Sequence, residues 1–147
     1  MDKFIPLISS GTVGPLGLFH LPRIWLKSLL GACGKLADGY KDIGPGYDIM
    51  VLEGIGIDPA RAKEFIHSEK PSYPEFEKWI KAQSGVKLDP ATIQKVNSTV
   101  AEYQHSDDIR KTILEANDIL DEGKILDAVT LNALDDWKGF HEVVTKN

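Results

Sequence analysis

"DPARAKEFIHSEKPSYPEFEKWIKAQSGVKLDPATIQ", residues 58–94, decides the fold, because its punctuation repeats one theme: a capping residue, a proline, then a helical run. Asp58-Pro59 and Asp89-Pro90 each place a side-chain acceptor at the N-cap and a proline at the first helical position, where its missing N–H is no loss. Ser72 and Glu75 have the spacing of a capping box, and Gly85 supplies a stop. The stretch therefore predicts helices over 59–67, from Tyr73 to Gln83 and over 90–104. Within the second, Phe76, Trp79, Ile80 and Gln83 fall on one side.

The same reading extends in both directions. Downstream, Ser106 opens a helix over 107–121, and Gly123 reads as a helix C-cap rather than part of a calcium loop, since Leu120 and Val129 stand where oxygen ligands are needed. A last helix begins near Asn132, with Leu134, Trp137, Phe140, His141 and Val144 at helical spacing, and Asp135-Asp136 read as negative charge at its start. Upstream, "YDIMVLEGIG", 47–56, is short and apolar, a buried helix closed by Gly54 or Gly56 with a strand as the alternative. "KLADGYKDIGPGYD", 35–48, is a loop, and Pro22 begins a helix that runs to Leu36. Residues 1–20 make an extended arm. The expected class is all-α, an irregular bundle of about six or seven short helices with Trp25, Trp79 and Trp137 in its core.

A chain of 147 residues with 42% hydrophobic residues suits one domain over 1–147. Its composition shifts near residue 86, which suggests a core over 1–85 with a helical extension over 86–147. The net charge of -5 argues against nucleic acid and acidic membranes as partners. Polar residues interrupt every long apolar window, and the first residues make a poor signal peptide, so no membrane span or secretion is expected. Cys33 is the single cysteine, which excludes a disulfide framework and points to the cytoplasm; it falls on an apolar helix face and is expected to be buried. "GTVGPLG" lacks the dinucleotide fingerprint, "GACGK" lacks the P-loop hydroxyl, and "HEVVT" lacks the second histidine of a zinc helix. No cofactor or metal is expected, and the catalytic residues stay unassigned.

One stretch is unusual for a plain helical domain: "GPLGLFHLPRIWLKSLLGACGKL", residues 14–36. On a helix of 100° per residue, Trp25, Leu26, Leu29, Ala32, Cys33 and Leu36 form an apolar face, while Arg23, Lys27, Gly31 and Gly34 form a row on the other side. Each glycine inside a helix costs about 0.8–1 kcal/mol relative to alanine, so the row implies close approach by a ligand or another backbone. The first reading is a small anionic ligand at the helix N-terminus, held by Arg23, Lys27 and His20, with Gly31 and Gly34 leaving room and Tyr40 and Asp48 on the neighbouring loop. A second is a protein-interaction module using the glycine face, with a homo-oligomer as one form. A third is a small enzyme built on Arg23, Lys27, Tyr40 and Asp48. Against all three stands a purely structural role, in which Arg23 or Lys27 pairs with Asp48 or Asp38 to pin the loop.

Gly17, Leu21, Pro22, Arg23 and Lys27, followed by the Gly-Tyr loop, Asp48, "GID" at 56–58 and the helix at 76–79, resemble a bacterial domain family of unknown function. Its members carry a Gly-x-x-x-Leu-Pro-Arg-x-x-x-Lys segment, and the resemblance covers residues 14–83. The chain differs in having Leu26 where an acidic residue is common and Gly44-Pro45 where a Cys-Pro is common. The resemblance implies no particular activity.

Overall fold

The computed structural model describes residues 2–146. They form an all-α irregular bundle: α1 (Leu21–Ala32), α2 (Tyr47–Gly54), α3 (Pro59–Glu69), α4 (Tyr73–Lys81), α5 (Pro90–Glu102), α6 (Asp107–Ala116) and α7 (Ala128–Thr145). Side-chain caps start five of them. Asp58 accepts from the Ala60 N–H, Asp89 from Thr92, Ser106 from Ile109 and Asp127 from Thr130, and Ser72 with Glu75 closes the full capping box. Each cap satisfies an N–H that the helix itself cannot.

The first helix is the centre of the packing. Leu21 and Ile24 of α1 meet Val51 and Leu52 of α2, Ala62 and Ile66 of α3, Phe76 and Ile80 of α4, and Val96 and Val100 of α5, in one core that is almost fully closed to solvent. Burying each large apolar side chain stabilises the fold by roughly 1.5–3 kcal/mol. A second, smaller core of Ile113, Leu114 and Leu131 joins α6 to α7. The N-terminal arm is tied down rather than free: Phe4 exchanges backbone hydrogen bonds with Lys35 and Ala37, and Asn97 of α5 bonds the backbone of Gly17 and Phe19.

Several elements depart from the sequence reading. The 47–56 stretch is helical, which removes the strand alternative. Helix α1 stops at Ala32, because Gly34 takes a left-handed φ of 68° and the chain turns to pair with the arm. Cys33 therefore lies past the helix and is exposed, not buried. Helix α6 ends at Ala116, with Asp118 at a φ of 56° just beyond it. The largest correction concerns α7, which starts four residues early on the Asp127 cap, so that Asp135 and Asp136 sit inside the helix instead of opening it. Asp127 is fixed by a bridge to Gln104, and the Ala128 N–H by the Tyr103 carbonyl. Trp137, Phe140 and Val144, expected in the core, face outward at 59%, 43% and 55% exposure. Among the described residues no helix is long and apolar enough to cross a membrane.

Candidate functional site

At the start of α1 the chain takes a conformation that few side chains accept. His20, the N-cap, has φ 73° and ψ -22°. A left-handed backbone costs a non-glycine residue about 1–2 kcal/mol, so its surroundings must hold it there. They do so at both ring nitrogens: Nδ1 lies 2.9 Å from the Ser10 hydroxyl and Nε2 lies 2.6 Å from the Asp48 carboxylate. Burial holds the imidazole pKa below its ordinary value, outweighing the opposite pull of the Asp48 hydrogen bond and charge. The neutral ring then has one consistent arrangement, with Nε2–H donating to Asp48 and Nδ1 accepting from Ser10.

Asp48 is placed in the first turn of α2 and is 3% exposed. Besides His20 it accepts from Lys27 Nζ at 2.5 Å and from the Gly44 N–H at 2.9 Å. Burial alone would raise its pKa, but the hydrogen bond from His20 and the charge of Lys27 bring it below the ordinary carboxylate value. One turn before Lys27, Arg23 makes the second buried pair, bidentate to Asp136 of α7 at 2.6 and 3.1 Å. The same guanidinium donates to the carbonyls of Pro6 and Ile8, and Tyr40 donates its hydroxyl to Asp136 at 2.8 Å. Burial, with the Asp136 charge beside it, raises the Tyr40 pKa, so the phenol stays protonated.

These groups open on one cleft of about 450 Å³ between α1, the 39–48 loop and α7. The structure brings His20, Arg23, Lys27, Tyr40 and Asp48 together in its walls. Gly31 and Gly34 do not line it. A side chain at Gly31 would collide with the Asp42 carboxylate, which lies against the helix there and bonds His67 at 2.5 Å, while Gly34 serves the left-handed turn after α1 with open space around it. Gly31 of α1 thus admits the protein's own Asp42, and Gly34 just past the helix admits a chain reversal. Arg23 and Lys27 are each matched to an internal carboxylate, as the structural reading required, but Arg23 takes Asp136 where Asp48 or Asp38 was expected; Asp38 pairs with Lys3.

Sequence reasoning missed four participants: Ser10, Lys41, Asp135 and Asp136. Lys41 lines the cleft, and among the described residues no carboxylate pairs with it. Asp135 lines it too, with a carboxyl pKa raised first by partial burial and then by the charge of Asp136. The Asp-Asp pair was visible, but its role depends on α7 beginning at Ala128. Ser10, His20 and Asp48 are linked in the order of a hydrolase triad, yet Ser10 is 2% exposed and does not line the cleft, so its hydroxyl is no nucleophile for a ligand there. Among the described residues no group of three or more His, Cys, Asp or Glu is placed to hold a metal. No family model and no curated protein matches the chain.

Proposed function

We propose that the cleft binds a small polar ligand carrying an anionic group. The observation that carries this reading is the convergence of five buried ionisable side chains, His20, Arg23, Lys27, Asp48 and Asp136, on one concave surface. Buried ion pairs are weak contributors to stability compared with apolar residues of the same volume. Gathered around a cleft, they are better explained as a rigid polar wall than as cement.

Charge accounting assigns the roles. Arg23 and Lys27 are each closed on a carboxylate, so they shape the wall and are not free to take an anion. What remains for a ligand is Lys41, together with the N-terminus of α2, where Gly46 caps without a side-chain acceptor and the Gly44-Pro45-Gly46 loop borders the cleft. These groups would receive a carboxylate or phosphate, and Tyr40, Tyr47 and Tyr103 would flank the rest. A catalytic reading is favoured by one observation, the raised carboxyl of Asp135 at the same cleft, where a proton acceptor or donor would be useful. The lone cysteine and the Leu-Pro-Arg-x-x-x-Lys segment support a bacterial, cytoplasmic setting as part of the same proposal.

The test is a thermal-shift screen of inorganic phosphate and small carboxylates, followed by calorimetry. A ligand at a hundred times its Kd stabilises the native state by about 2.7 kcal/mol, which raises the melting temperature by roughly 5–10 °C. Lys41→Ala should abolish the shift and leave the unliganded melting temperature unchanged. No shift with any anion, or a shift that survives Lys41→Ala, overturns the reading.

A further inference from the structure

Matching the charges of the cleft against one another leaves a remainder of each sign. Arg23 is closed on Asp136 and Lys27 on Asp48. Lys41 on the loop and Asp135 on α7 line the same cleft and are open to solvent, and among the described residues neither makes an ion pair or a side-chain hydrogen bond. They are neighbours all the same, since each is one residue from the bond that joins the two walls, in which Tyr40 donates to Asp136 at 2.8 Å. The direction of the lysine keeps them apart. Its stem lies over Gly44, where an added Cβ would stand 3.0 Å from Lys41 Cβ and 3.4 Å from Cδ, so the side chain runs along the loop rather than across to α7. On the other wall, Lys138 is taken by Glu142, and His105 gives its Nε2–H to Asn132 Oδ1 at 2.9 Å. His105 and Lys138 both pull the Asp135 carboxyl pKa down, but partial burial and the Asp136 charge outweigh them.

We propose that the ligand is a zwitterion of the amino-acid class, with its carboxylate on Lys41 and its ammonium on Asp135. The inference rests on the anion-binding reading of the cleft and adds the second charge to it. Two unmatched charges of opposite sign in about 450 Å³ of space are complementary to one small molecule that carries both. The aromatic wall suits the cationic end. Tyr47 and Tyr103 meet with ring centroids 5.2 Å apart, Tyr103 is 43% exposed, and ring faces attract ammonium groups. A phosphate or a dicarboxylate would satisfy Lys41 but set a second negative charge against Asp135.

NMR titration in an amine-free buffer at constant ionic strength, with glycine and β-alanine set against acetate and propionate, separates the two ends. At least one amino acid should bind about tenfold tighter than its matched acid, the worth of one hydrogen bond to a charged group. Asp135 bonds nothing inside the protein, so Asp135→Asn should keep the melting temperature. It should also erase the preference, weakening the amino acid while the matched acid binds as tightly or more tightly. Lys41→Ala should weaken both. Matched acids that bind without any gain from the amine overturn the zwitterion and leave the anion site standing. A preference that survives Asp135→Asn overturns it too, because the ammonium is then held elsewhere. Absence of binding by acids and amino acids alike overturns both readings.

Discussion

Arg23 shows how one side chain can organise three segments. Its guanidinium bonds Pro6 and Ile8 in the arm and Asp136 in α7 while its backbone belongs to α1. Replacing it by alanine leaves the Asp136 carboxylate buried with only Tyr40 for company, and breaking a buried pair on one side costs about 3–5 kcal/mol. Arg23→Ala should therefore lower the melting temperature by roughly 10 °C, and adding Asp136→Ala should restore part of the loss, read by a double-mutant cycle. Lys27→Ala should be milder, because Asp48 keeps the His20 and Gly44 donors. The importance of Arg23 and Lys27 was legible from their spacing on α1, and the Lys27 partner was among the acids considered. The Arg23 partner was not, since Asp136 lies 113 residues away and no local pattern connects them.

At the level of the helices, caps were the readable signal and surface faces were not. Asp58-Pro59, Ser72 with Glu75 and Asp89-Pro90 act where the sequence placed them, because a cap needs only its own helix to be satisfied. The Asp127 cap was passed over, as no proline or glutamate follows it to announce a helix. Asp127→Ala should reduce stability by about 1 kcal/mol, measured by urea denaturation. The glycine of α1, Gly31, gives a sharper contrast. Gly31→Ala gains helix propensity of about 1 kcal/mol, yet it should destabilise, because the new methyl displaces Asp42 from the helix and from His67. A gain in stability there would mean that Asp42 moves aside at no cost. Apolar periodicity also misled at Trp137, since helical spacing of apolar residues does not fix which face of a helix the rest of the chain packs on, and this one is 59% exposed.

For the molecule as a whole, the buried network sets the response to acid. His20 has a native pKa held below 6.5 and Asp48 one held below 3.8. For both, the unfolded chain binds a proton more readily than the native one, so stability rises with pH across the shifted interval. The contribution of His20 is complete above 6.5 and is lost as the pH falls beneath it; that of Asp48 is complete above 3.8 and is lost on further acidification. Melting temperature should decline on going from neutral to mildly acidic pH, and His20→Asn, which tolerates the left-handed backbone, should flatten the upper part of that decline. A profile unchanged by the substitution would place the titrating group elsewhere. The bundle class and the arm were available from the sequence because they rest on local punctuation, whereas the cleft depends on where α7 lies. The bond from Arg23 to Asp136 also imposes an order on synthesis. While the chain is still being made, α1 to α5 can emerge from the ribosome and collapse around Leu21 and Ile24, but their guanidinium waits for a counterion until α7 has been translated. A newly made chain thus closes the wall of the cleft only when α7 has docked, and until then the Arg23 guanidinium has the Pro6 and Ile8 carbonyls of the arm but no carboxylate.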